Sequence, residues 1–238
     1  MSCSFRRARH RSVAKLLGAL DHERLRTLRC FFGGGTAIAL EVDEFRESAD
    51  VDFLCADKTA YRALRELVFD ADIDGLFREP IVKVRDTRAD MDGIRNFVVF
   101  DGMPLKFEII VEGRIALADS DRTICGVTTL CTEDAFTEKL LANADRGLDR
   151  ATASRDLIDL LALSIRHGGI PPSALFRASE VYGQSVSRTL ERTCDLLRDD
   201  HAYRAECLSK LDIDDDWAAA LTTELISSRW LHSGGWTN

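Results

Sequence analysis

The 238-residue chain is 45% apolar and 30% charged, the balance of an ordinary globular protein that can bury a core in one large domain or two small ones. It contains no run of eighteen apolar residues, so no membrane span is expected. The basic start MSCSFRRARHRSVAK lacks the apolar stretch of a secretory signal. Net charge is −8, unevenly spread: residues 1–30 hold eight Lys/Arg against two acids, a balance of +6, which leaves −14 for the rest. Such an arm can touch nucleic acid or an acidic partner, or be the solvated face of a first helix, while the acidic body offers no broad nucleic-acid footprint. Seven cysteines make no CxxC pair and no Cys/His cluster. Reduced thiols in a cytoplasm are expected, and no zinc site.

In chain order, apolar residues at helical spacing over 13–30 predict a helix broken near Asp21. Phe31-Phe32 lead into Gly33-Gly34-Gly35, and 36–42 reads as a short helix. Residues 50–55 (DVDFLC) alternate like a strand, and 59–69 is amphipathic. Strands are expected over 80–85 and 95–100, with Asp101-Gly102 turning the chain into a further strand, MPLKFEIIVE. Beyond about residue 130 the pattern turns helical, with helices over 133–146, 154–166, 172–182, 184–198 and 215–228, and HGGIPP as punctuation. The chain therefore reads as α+β: a mixed core over 1–130 and a helical domain over 131–238. Trp217, Trp230 and Trp236 crowd the C-terminus, as docking of a last helix would require.

Strand residues i and i+2 share a face about 6.5 Å apart along the chain, which sets Asp50 beside Asp52 with Val51 and Phe53 turned inward. Two adjacent carboxylates repel unless a cation offsets them, and Mg²⁺ is a cation held by one or two carboxylates plus phosphates. Glu108, set among Phe107, Ile109 and Ile110 with Lys106 on the same face, offers a third acid. Two metals about 3.5–4 Å apart would clamp the attacking and leaving oxygens of a phosphoryl displacement. Alternatively the three acids line the wet face of an edge sheet. Upstream, Gly34 and Gly35 let a backbone approach a phosphate at a helix N-terminus, and Thr36 can cap that helix or bond a phosphate oxygen. The pattern is neither GxGxxG nor a Walker loop.

GGT followed by R-x-S-x-D-x-D-F (Arg46, Ser48, Asp50, Asp52, Phe53) resembles the signature of DNA-polymerase-β-like nucleotidyltransferases, and more narrowly the AbiEii/AbiGii toxins of type IV toxin–antitoxin and abortive-infection systems. Lys106 and Glu108 match that branch's K-x-acid strand, where Asp is commoner. EKLLANADR (Lys139, Asn143, Arg146) and SRDLIDLLAL (Arg155, Asp156, Asp159, Leu160) match its two helical motifs. The resemblance spans residues 33–161. It implies a mixed-sheet nucleotidyltransferase core followed by a helical domain, with an NTP as substrate, Mg²⁺ or Mn²⁺ as cofactor, tRNA or another RNA as acceptor, and a cognate antitoxin as partner. In that reading Asp50, Asp52 and Glu108 hold metal, and Gly34, Gly35, Thr36, Arg46, Ser48 and Lys106 hold the nucleotide. Lys139 neutralises phosphate, and Asp156 acts on the acceptor hydroxyl or orients Lys139. Rival readings are a small-molecule (antibiotic) nucleotidyltransferase and a non-catalytic NTP-binding module.

On spacing alone, Lys139, Asn143, Arg146 and Arg150 form one helical stripe that could meet a triphosphate or simply face solvent. Asp156 and Asp159 are i, i+3 neighbours, either of which could pair with Arg146 or Arg155. Arg46 could contact phosphate or be exposed, and Ser48 could fix the turn before Asp50. The five histidines fall in separate places and suggest no catalytic set.

Overall fold

The computed structural model describes residues 4–227, so Cys3, Trp230, His232 and Trp236 lie outside the described residues. The chain divides into two compact units: Met1–Glu44 with Ser48–Cys131, and Phe45–Glu47 with Thr132–Asn238.

The first unit opens with α1 (Ala8–Ala19), which buries Val13, Leu16 and Leu17, and α2 (His22–Thr27). Asp21 separates them, its side chain accepting from the Arg24 amide as a helix cap. β1 (Cys30–Gly33) follows, then α3 (Gly34–Glu41), β2 (Val51–Cys55) and α4 (Lys58–Ala71), capped by Asp57. After a 3₁₀ turn over Ile73–Leu76 come β3 (Val82–Lys83), β4 (Arg88–Ala89), β5 (Gly93–Phe100) and β6 (Met103–Val111). A short hairpin, β7 (Thr123–Ile124) and β8 (Val127–Thr128), closes the unit.

The main sheet has the order β1-β2-β6-β5-β3, with β4 also paired to β5. It is mixed, because β2 and β6 run parallel while β1/β2, β5/β6 and β3/β5 are antiparallel. The β5–β6 hairpin turns at Asp101-Gly102, both at positive φ (53° and 73°), the geometry of a two-residue turn that matches strand twist. Cys125 and Gly126 (φ 51° and 86°) do the same for β7–β8. That hairpin was not expected, because Cys-Gly is a weak turn signal. β1 was also not expected: all four of its residues are buried, so it shows no alternation and is hard to tell from a helix end. The strand expected over 80–85 shrinks to the two residues of β3.

Val51, Phe53, Phe107 and Ile109 are fully buried. Phe53 lies between Phe32 and Phe107, with ring centroids 5.6 Å apart on each side, and Phe77 packs on Phe107 at 5.9 Å. This aromatic row fixes one side of β2 and β6 in the core, so the alternate residues of both strands must emerge on the other side.

The second unit is helical: α5 (Thr132–Arg146), α6 (Arg155–His167), α7 (Pro172–Tyr182), α8 (Ser185–Asp199), α9 (His201–Lys210) and α10 (Asp215–Ser227), with a 3₁₀ turn over Arg150–Thr152. α6 sits at its centre, burying nine residues from Asp156 to Ser164. Gly168 ends α6 at φ 81° and prolines open α7, as HGGIPP suggested. α9 was not foreseen. Trp217 packs on Phe45, with centroids 5.6 Å apart. No helix among the described residues is long and apolar enough to cross a membrane.

Among the described residues, Cys30, Cys55, Cys131, Cys194 and Cys207 are thiols outside any disulfide, and burial pushes Cys194 up to about 12. Cys125 is disulfide-bonded, so the expectation of uniformly reduced thiols is corrected there. Removing Phe107, the aromatic between Phe53 and Phe77, leaves a void in a packed core. Phe107→Ala is expected to lower unfolding free energy by about 3–5 kcal/mol, measured as a shifted denaturant midpoint at unchanged slope.

Candidate active site

Alternation and register build the site in the first unit. Asp52 lies opposite Glu108 in the parallel β2/β6 pair, and Glu108 lies opposite Arg95 across the β5/β6 hairpin. Gly33 faces Asp52 from β1. Directly paired strand residues share a face, so glycine, two acids and an arginine form one row across four strands. Asp50 precedes β2 by one residue and is exposed, a correction to the expected strand start.

Like charges side by side are unfavourable, and the structure offsets them with cations. Lys106 Nζ lies 2.5 Å from Glu108 Oε2, and Arg95 Nε lies 3.4 Å from Glu108 Oε1. Partial burial works against the Lys106 charge, yet its pKa is raised, by the Glu108 bond and then by the fields of Asp52 and Asp50. One ammonium thus senses all three acids. Arg95 also donates to both oxygens of Asp90, at 3.2 and 3.3 Å. No sequence motif marks Arg95, but counting equally back along both strands from the Asp101-Gly102 turn sets it opposite Glu108.

The glycines are explained by close approach. Gly34 has φ 71°, and a Cβ there would stand 2.8 Å from Asp52 Oδ2. A Cβ on Gly33 would meet Leu54 and Leu130 at 2.6 and 2.9 Å. Gly33 is the N-cap of α3, with no side-chain bond to the helix amides, and Gly35 is the second helical residue. Thr36 is buried and its hydroxyl lies 2.8 Å from that of Ser48, so it braces the segment before Asp50 instead of capping α3.

The remaining expected residues belong to the second unit, where they bind one another. Lys139 is buried, its Nζ 2.9 Å from Asp156 Oδ1 and 2.7 Å from Asp159 Oδ2. Arg46, which could have contacted phosphate or been exposed, is instead buried and forks onto Asp159 at 2.7 and 3.0 Å. Arg146 forks onto Asp156 at 2.7 and 3.1 Å. Three cations and two carboxylates thereby form one chain of charge-assisted bonds, with both acids serving Lys139. Burial disfavours charge on Asp156, but Lys139 and Arg146 overcome it and hold its carboxyl far below the usual range. Lys139 likewise keeps its proton against burial because Asp159 and Asp156 face it. Asn143 is buried, and neither polar atom of its side-chain amide has a hydrogen-bond partner among the described residues. Arg150 does not extend the stripe, since α5 ends at Arg146. Arg150 binds Asp200 and stacks 4.4 Å over Tyr203.

The basic N-terminal arm is largely spent within the first unit. Arg6 and Arg7 bind Glu44 and its neighbourhood, Lys15 binds Asp101, Arg24 binds Asp21 and Arg29 binds Asp119.

Among the described residues, no group of three His, Cys, Asp or Glu side chains is gathered closely enough to hold a metal ion by itself. The donor chemistry nevertheless suits a hard cation. The acids are oxygen donors at the start of β2 and midway along β6, and the Lys106 ammonium already occupies their field.

Two outcomes check this geometry. Gly34→Ala combines a left-handed backbone with a clash against Asp52, so it is expected to cost about 1–2 kcal/mol in a denaturant titration. Asp156 has a depressed folded pKa, so its stabilisation is complete above its unfolded value near 3.9 and is lost as pH falls. Asp156→Asn is therefore expected to be destabilised at pH 7, with the gap to wild type narrowing below about pH 4 in thermal melts.

A sequence model described as "Nucleotidyl transferase AbiEii toxin, Type IV TA system" matches residues 16–228. A search of curated protein sequences returns no match. Two of the solved structures that share the fold are similar over nearly their whole length. One is the crystal structure of a candidate nucleotidyltransferase from H. pylori, 18% identical with a TM-score of 0.58, covering 94% of this chain and 95% of that one. The other is JHP933 from Helicobacter pylori, 17% identical with a TM-score of 0.55, covering 96% and 95%. The fold, the glycine turn against Asp52 and a family match over most of the chain agree: the chain belongs to the AbiEii nucleotidyl transferase toxin family of type IV toxin–antitoxin systems.

Proposed function

We propose that the chain moves a nucleoside monophosphate from an NTP to an acceptor hydroxyl, with Mg²⁺ or Mn²⁺ as cofactor and tRNA or another RNA as the acceptor. The observation that carries this reading is the register of Asp52 against Glu108, with Gly34 lying directly under the Asp52 carboxylate. Asp50 and Asp52 would hold the cation, and Glu108 would join them once Lys106 turns from it to a phosphate. When bound, a divalent cation neutralises phosphate charge and orients the NTP for in-line attack.

The chain's own groups do the rest. The Gly34 and Gly35 backbone at the start of α3 leaves room for phosphate oxygens beside Asp52. Lys106, now 2.5 Å from Glu108, is the nearest cation to receive the triphosphate. Glu108 accepts the proton from the acceptor hydroxyl. The acceptor oxygen bonds to the α-phosphorus as the bond to the bridging β-oxygen breaks, and pyrophosphate leaves. Little covalent chemistry falls to the protein, so positioning and electrostatics carry the rate. Lys139 and Asp156, already bound to each other, are assigned the holding of α5 to α6 rather than contact with phosphate or acceptor. A cognate antitoxin is the partner this family implies.

Incubating the full chain with α-labelled NTPs, Mg²⁺ and total RNA, or with small hydroxylated acceptors, tests the reading. Label is expected in RNA, abolished by a chelator and reduced at least about a hundredfold by Asp52→Ala. Undiminished transfer by that variant would refute the assignment. Label on a small molecule alone would replace the acceptor, and NTP binding without any transfer would leave a non-catalytic module.

A further inference from the structure

Buried His10 and Glu44 and half-buried Ser48 form a cluster that the transfer chemistry does not use. His10 on α1 is fully buried. Its Nδ1 lies 2.8 Å from Glu44 Oε1, and its Nε2 lies 3.2 Å from the backbone nitrogen of Ser48. A backbone N–H only donates, so Nε2 must be the bare, accepting nitrogen. The single ring proton then sits on Nδ1 and is given to Glu44. The opposite tautomer, or an imidazolium, would set an N–H against the Ser48 N–H.

Both ends of this bridge are themselves held. The Glu44 carboxylate also accepts from the amides of Arg6 (2.6 Å) and Arg7 (3.0 Å) at the start of α1. Arg6 Nε stands 3.5 Å from it, and the Phe5 ring meets the imidazole edge-on. Asp43 and Glu44 have φ of 50° and 55°, a left-handed pair that persists in non-glycine residues only where its surroundings fix it. The Ser48 hydroxyl lies 2.8 Å from that of Thr36 on α3. Ser48 is therefore gripped by its amide from α1 and by its side chain from α3, two residues before Asp50.

We propose that His10 is a positioning residue for nucleotidyl transfer: as the neutral Nδ1–H tautomer it bridges Glu44 to the Ser48 amide and so fixes the segment that presents Asp50. This rests on the transferase reading above, and its test includes readouts independent of turnover.

The full-length chain is compared with His10→Leu, which keeps volume without hydrogen bonds, and His10→Gln, a neutral side chain offering one donor and one acceptor. Nitrogen-15 correlation of the imidazole is expected to show a protonated Nδ1 and a bare Nε2 at neutral pH. In His10→Leu, Ser48 amide exchange is expected to quicken about tenfold or more, and kcat to fall by a similar factor while the NTP KM changes less than about threefold. His10→Gln is expected to restore most of both. Should the leucine variant not fold, His10→Asn keeps the donor to Glu44 without reaching Ser48 and should show the same losses. A protonated Nε2, or unchanged Ser48 exchange and kcat in these variants, overturns the proposal. A wild-type chain that transfers no label overturns the transferase reading instead, while the tautomer and Ser48 exchange still decide whether the bridge exists.

Discussion

β2 and β6 lie parallel with Asp52 opposite Glu108, and no hairpin can make such a pair. It needs a long crossover, here the stretch from α4 through β5, and it needs the aromatic row of Phe32, Phe53 and Phe107 to fix which face of each strand is buried. Shifting either strand by one residue would turn the acids into the core and the phenylalanines into water. Once the row is fixed, two carboxylates stand as neighbours, and the rest of the site follows from that electrostatic problem. Lys106 and Arg95 answer it. Gly34 answers the steric part, because only a residue without Cβ can turn left-handed that close to Asp52.

The second unit handles charge in the opposite way. Buried Asp156 and Asp159 balance the buried Arg46 and Lys139 and the half-exposed Arg146. Taking four of these five charges out of water gains little net stability, whereas removing one partner from such a group is costly. What the network supplies is a fixed geometry: planar guanidinium forks tie α5 to α6, and they tie both to the short segment Phe45–Glu47 that the chain contributes from between α3 and β2. Residues that stand out as a motif in a sequence can be there for this reason. Lys139 and Asp156 take part in that geometry, and Asp159 proves as central as Asp156, each holding Lys139 and one arginine.

Legibility varied with how local the determining physics was. Asp101-Gly102 announced the β5–β6 hairpin because two positive-φ residues between alternating strands leave few alternatives. The helices over α5 to α8 and α10 were legible from periodicity, and HGGIPP marked the break before α7. β1 was not, since a wholly apolar four-residue strand lacks a period, and β7–β8 was hidden by a Cys-Gly turn. Arg150 fell off its expected stripe because Gly147 and Asp149 end α5 early, and its partners Asp200 and Tyr203 lie some fifty residues away in sequence.

Composition, alternation and turn chemistry determined by themselves that this chain is α+β, that Val51 and Phe53 point inward while Asp52 does not, and that a glycine turn precedes a short helix. These are consequences of backbone periods of 2 and 3.6 residues, which act over a few positions. Which acid faces which cation was decided only by tertiary structure. Asp52 meets Glu108 through strand pairing across 56 residues, Arg46 meets Asp159 across 113, and His10 reaches Ser48 across 38. Charge pairing is not periodic, and a side chain does not declare its distant partner until the core has set the register.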